Sequence, residues 1–194
     1  GPEQTTLDGN FDGEQAKYGI YINSDEDNDT IIEGFTISGY GQVVGGNGIT
    51  ITSGSSPSVR NCIFLDNNRT NSGAAVDVDE GSAPIFQNCT FESNTTQQFG
   101  AAINCEYAAP EFIGCDFLQN DAKRRGGAAF IIGNPTVFPR FHDCTFHGNV
   151  TSSSTDNYAN GGAVWISTGS QTRAEFSQCD FSSNMAKLGG AIFI

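Results

Sequence analysis

The chain has 194 residues, 37% of them hydrophobic and 24 of them glycine, and its 22 acidic against nine basic side chains give a net charge of -13. Nucleic-acid partners need a basic stripe, which this balance excludes. No apolar run is long enough to span a membrane and no signal peptide is present, so membrane contact would require an anchor outside this chain.

In chain order, the first elements are short and alternate with a period of two. They are YGIYI from Tyr18, IEGFTISG from Ile32 and NGITI from Asn47. Such alternation, rich in Ile and aromatics, predicts strands, and no window carries a capped 3.6-residue pattern.

From there on, one phrase recurs five times: Pro (Ala174 in the last copy), any residue, Phe or Val, any residue, a turn-former, Cys, any residue, Phe, two residues, Asn. Its cysteines are Cys62, Cys89, Cys115, Cys144 and Cys179. Two residues on stand Phe64, Phe91, Phe117, Phe146 and Phe181, and five on stand Asn67, Asn94, Asn120, Asn149 and Asn184. After each Asn and a polar loop comes a glycine-rich entry: SGAAVDV from Ser72, FGAAINC from Phe99, GGAAFII from Gly126, GGAVWIS from Gly161 and GGAIFI from Gly189. Self-similarity at a step of 26 to 35 residues means stacked units that bury their apolar faces against their neighbours.

Three strands fit each unit: the glycine-rich run, the Pro-x-Phe piece and the Cys-x-Phe piece. The residue before each Cys is Asn61, Asn88, Gly114, Asp143 or Gln178. All but Gln178 belong to the types that tolerate a left-handed bend. A coil of strands advancing by one strand spacing per turn is a right-handed parallel β-helix. Cys and the Phe two residues later share a face, which must be interior because Ile63, Thr90, Asp116, Thr145 and Asp180 lie between them. In IEGFTISG, Gly34 matches the bend, Phe35 the Cys and Ile37 the Phe. Seven glycine-rich strands predict about seven coils, roughly 30 Å long, in an all-β domain over 18–194. Gly1-Pro2 resembles a cleavage scar, so 1–17 is read as that scar and an incomplete first coil, and the whole as a piece of a longer β-helix.

Asparagine rungs at coil corners can satisfy turn groups and one another. Buried Asn94 and Asn149 would be unavailable to glycans, so the Asn-x-Thr triplets at Asn28, Asn68, Asn88, Asn94 and Asn149 are read as chance. The cysteines read as free, buried hydrophobes beside the Phe rungs, with axial disulfides as the main alternative and metal ligation last. Cys105 falls at an inward position of a glycine-rich strand.

Calcium is the one cofactor the acids suggest. Asp25, Asp27 and Asp29 alternate as in a calcium loop but lack its glycine and terminal acid. Asp77, Asp79, Glu80 and Glu106 form the better cluster, because Asp79 and Glu106 stack and would repel without a positive neighbour. With Lys123, Arg124 or Arg125 they could imitate a polysaccharide-cleaving site. His142 and His147 pair with no nucleophile recognisable in the sequence, and no catalytic residue is assigned. The outward column of the glycine-rich strands is Tyr21, Thr50, Asp77, Asn104, Ile131, Trp165 and Phe193, with Phe130 as the alternative in its coil. Trp165 and Phe193, with Tyr158 in the long loop from Val150 to Asn160, are the candidate binding residues.

FLDN, FESN, FLQN, FHGN and FSSN, paired with GGAV and GGAI and with the partial GGAA, SGAA and FGAA, resemble the FxxN and GGA-aliphatic repeats of chlamydial polymorphic outer membrane proteins. The resemblance covers about residues 57 to 194 and implies an autotransporter passenger. Such a passenger is a β-helix displayed on the cell surface as an adhesin for a host-cell protein or glycan, and it sometimes self-associates. A structural stalk is the second expectation, and a calcium-dependent polysaccharide lyase or hydrolase the third.

Overall fold

The computed structural model describes residues 5–9, 18–41, 46–79, 81–133, 135–153, 159–167 and 171–194. Every described element is a strand, and all strand pairs are parallel and join one turn of the chain to the next. The first sheet holds the glycine-rich strands Tyr18–Ile22, Asn47–Ile51, Val76–Asp79, Ile103–Glu106, Ala129–Ile132, Val164–Ile166 and Ile192–Phe193. The second holds Ile31–Glu33, Ser58–Arg60, Ile85–Gln87, Glu111–Ile113, Arg140–His142 and Glu175–Ser177. The third begins with Thr5–Asp8 and Phe35–Ser38 and continues through the five Cys-x-Phe pieces to Asp180–Ser182.

A fourth sheet departs from the expected three strands per coil. Asn68–Arg69, Thr95–Thr96, Asp121–Ala122 and Val150–Thr151 pair directly after the Asn rungs. Two-residue strands leave no alternation to read, which is why the sequence shows them only as polar loop. The glycine-rich strands number seven, but the Pro-x-Phe strands of the second sheet number six, so the stack makes about six turns rather than seven.

The corners follow from backbone chemistry. Gly34, Asn61, Asn88, Gly114, Asp143 and Gln178 all have φ between 52° and 76°. Gln178 adopts the bend although its type disfavours it, because its neighbours on both sides are locked in register with the turn below. A second left-handed column stands just before the Asn rungs, at Asp66, Ser93, Gln119, Gly148 and Ser183. A third is glycine throughout: Gly73, Gly100, Gly126, Gly161 and Gly189. At Gly126 an added Cβ would lie 2.0 Å from the Ala129 carbonyl oxygen, so Gly126→Ala meets both a clash and an unfavourable φ.

The interior is built of ladders. Phe64, Phe91, Phe117, Phe146 and Phe181 stack ring on ring at 4.6 to 4.8 Å. A second stack, Phe86, Phe112, Phe141 and Phe176, runs beside it at 4.8 to 5.0 Å and meets it edge to face. Each ring therefore has faces and edges used in preferred aromatic geometries. The Asn rungs form a continuous amide column. Oδ1 of Asn94 accepts the backbone N–H of Asn67 at 3.1 Å and its Nδ2 at 3.0 Å, while Nδ2 of Asn94 donates to the Phe64 carbonyl at 3.0 Å. The same contacts repeat through Asn120, Asn149 and Asn184. The buried Asn94 and Asn149 are thus structural, whereas Asn28, Asn68 and Asn88 are exposed.

Candidate binding face and side-chain clusters

The register of the first sheet fixes its outward column as Tyr21, Thr50, Asp77, Asn104, Phe130, Trp165 and Phe193. Ile131 is not part of it. It pairs with Cys105 and is fully buried. The physical reason is the left-handed glycine: Gly73, Gly100 and Gly126 are equivalent, so the second glycine of GGAA takes the place of Ala74 and Ala101 and shifts its letters by one. Phe130 then falls opposite Asn104.

The polar half of this column is self-contained. Asp77 forms a 2.6 Å ion pair with Arg69 from the fourth sheet, with both side chains largely buried. It also accepts 2.9 Å from Nδ2 of Asn104, which donates to Glu106 at 3.2 Å. Asp79 and Glu106 do stack in register. Arg69, which the sequence did not single out, is the positive partner of Asp77. Glu80 lies outside the described residues. At the other cluster, the Asp27 carboxylate accepts the N–H of Asp29, holding its own turn. The Glu26 carboxylate accepts the Ser24 N–H and the Ser55 hydroxyl, each at 2.8 Å, and these two contacts hold it below the usual carboxylate range. Asp25 and Asp27 border an open groove of about 500 Å³. Among the described residues, no three His, Cys, Asp or Glu side chains converge as a metal cage.

The aromatic half is a small second core on the outside. Phe99 stacks on Phe130 at 4.6 Å, and Phe130 on Trp165 at 4.7 Å. The Arg125 guanidinium lies 4.6 Å over the Trp165 ring. Phe130 is consequently only 3% exposed, while Trp165 and Phe193 are half-buried. Trp165 Nε1 is buried without an acceptor. With Phe99 on one face and Trp165 on the other, Phe130 has no face left for a sugar ring, and Trp165 and Phe193 are what the surface offers. Tyr158 and residues 154–158 of the long loop lie outside the described residues. The sequence pattern offers Arg125 only as a basic partner for the acids and Phe99 only as the start of a glycine-rich entry. The available signal was position, since Phe99, Arg125, Asn160 and Leu188 each precede a left-handed glycine and bridge in one column.

The basic run and the histidines have ordinary partners. Lys123 meets Asp121 and Ser152, and Arg124 meets Gln98. The Nδ1 atoms of His142 and His147 lie 2.9 and 3.0 Å from the hydroxyls of Ser177 and Ser182 at an exposed surface. Among the described residues, no carboxylate orients either ring.

The sequence pattern of the family described as right handed beta helix region matches residues 5–194. The chain belongs to the right-handed β-helix family. No curated protein and no solved structure matches it. In this β-helix, no helix among the described residues is long and apolar enough to cross a membrane.

All six cysteines of the β-helix are free thiols, five buried and Cys179 half-buried. Each ladder thiol donates to two carbonyls, as Cys144 does to Phe112 at 3.5 Å and His142 at 3.3 Å. Cys62 and Cys115 are pushed up by contact with neighbouring sulfurs and by burial, and Cys89 and Cys144 are held down by the same sulfur contacts. At neutral pH a disulfide-exchange reagent should label Cys179 quickly and the other five only after denaturation. Rapid labelling of several thiols in the native protein would show that the ladder is not enclosed.

Cys105 stands apart from the ladder, and burial pushes its thiol from 9.0 up to about 12. A raised thiol pKa contributes stability that is complete below the unfolded value and is lost as pH rises toward the folded one. Between pH 9 and 12 the denaturation midpoint should fall less steeply in Cys105→Ala than in the parent. Parallel curves would contradict this.

Proposed function

We propose that this β-helix is a passenger of a surface-displayed adhesin, binding a host or neighbouring cell without catalysis. The observation that carries this reading is the outer aromatic column. Trp165 and Phe193 lie half-buried and in register on the outer face of a sheet whose inner face is already filled, and Trp165 is braced by the Arg125 guanidinium and by Phe130, itself stacked on Phe99. A rigid scaffold that fixes aromatic rings and an arginine on one face suits protein contact, where aromatics and Arg dominate binding energy. The FxxN and GGA-aliphatic repeats point the same way through their resemblance to surface-displayed passengers. The exposed histidine–serine pairs and an Asp77 already paired with Arg69 give an enzyme reading less to stand on. The groove bordered by Asp25 and Asp27 is where calcium would enter.

The experiment is attachment of beads coated with the protein to cultured epithelial cells, with soluble protein as competitor. Saturable, competed attachment is expected. Absence of attachment would favour a stalk that projects a recognition domain located elsewhere.

A further inference from the structure

We propose that the cysteine ladder is a binding column for soft monovalent cations, copper(I) above all, each ion held by two sulfurs from successive turns. Cys62, Cys89, Cys115, Cys144 and Cys179 are in strict register. The amides of Thr90, Asp116, Thr145 and Asp180 bond the carbonyls of the first four rungs at 2.9 to 3.0 Å. Their sulfurs therefore repeat at the parallel-strand spacing, about 4.8 Å. A metal–thiolate bond is about 2.3 Å, so an ion midway between two rungs with a linear S–metal–S arrangement spans about 4.6 Å. The backbone need not move.

Geometry and chemistry select the ion. Side chains of a parallel ladder give each gap one sulfur below and one above, and among the described residues no third ligand joins them. Tetrahedral zinc needs four ligands and is excluded, while thiolates favour soft ions such as copper(I). Silver(I) shares the two-coordinate habit and does not change oxidation state, which makes it a clean probe. A disulfide would require sulfurs that point the same way to close to about 2.05 Å. The existing S–H contacts to carbonyls, such as Cys115 to Phe86 and Ile113 at 3.5 and 3.6 Å, are weak and are surrendered on loading.

Charge balance makes the loading cooperative. Two thiols that lose two protons and take one ion leave one negative charge. Five thiols that lose five protons and take one ion in each of the four gaps between them also leave one. After the first ion, every added link exchanges one proton for one cation and buries no further charge. Cys179, the half-exposed rung, is the point of entry.

The test is native mass spectrometry of the whole chain titrated with silver(I), and with copper(I) under anaerobic conditions, with circular dichroism in parallel. Apo and four-ion species should coexist with few intermediates, and the β signal should persist. Cys115→Ser divides the column into two pairs and should lower the limit to two ions. Cys179→Ser should lower it to three, and Cys105→Ser, outside the ladder, should leave it at four. The proposal is overturned by loss of the ions to a moderate copper(I) chelator, by a limit that ignores both ladder substitutions, by loading that abolishes the β signal, or by disulfides forming in place of bound ions.

Discussion

Phe117→Ala should lower stability by about 3–5 kcal/mol, the range for emptying a buried aromatic site. Phe117 is fully buried, stacked between Phe91 at 4.8 Å and Phe146 at 4.6 Å, with the edges of Phe112 and Phe141 at 5.6 and 5.9 Å. The cavity would sit in the middle of two interlocked stacks that cannot collapse, because strand spacing along the axis is fixed by the backbone ladder. Phe181→Ala, at a half-buried rung of the last turn, should be milder. Chemical denaturation followed by the fluorescence of the single tryptophan measures both. Equal, small losses at the two positions would mean that the Phe ladder is not interior.

Asn120→Ala should be comparably severe for a different reason. Oδ1 of Asn120 accepts the backbone N–H of Asn94 at 3.1 Å, and its Nδ2 donates to the Phe91 carbonyl at 2.9 Å. Both groups are enclosed and would lose their partners, at about 1–3 kcal/mol each. The amide links to Asn94 and Asn149 go as well. A loss of about 3–5 kcal/mol is expected by denaturation. Asn120→Asp restores the acceptor but not the donor, so it should fall between. A neutral alanine variant would show that water replaces the amide column.

The ladders were legible because each rung repeats its letter. Cys, Phe and Asn at fixed offsets announce the inward face five times over, and Gly, Asn or Asp before Cys announces the corner. What escaped was either too short or not repeated as a letter. The fourth sheet has two-residue strands such as Thr95–Thr96, below the length at which alternation means anything. Its Arg69 neutralises Asp77 across eight residues of chain, and nothing in either residue's local pattern announces the pair. The aromatic column is legible, but its rung stays open between Ile131 and Phe130 because Gly127 and Ala101 hold the same position with different letters, and the register decides for Phe130. Phe99 and Arg125 occupy one column as unlike residues, so only the observed bridges link them.

The outer face is therefore the part of the molecule where chemistry changes from turn to turn while the interior repeats. Recognition placed there can vary without disturbing the ladders. The measurement that tests this most directly is bead attachment to epithelial cells by Trp165→Ala and Phe193→Ala proteins, with circular dichroism confirming the β signal and soluble parent protein as competitor. Both variants should keep the fold and lose most of the competed attachment. Folded variants that attach as well as the parent would contradict recognition by the aromatic column and move it to another surface of the β-helix.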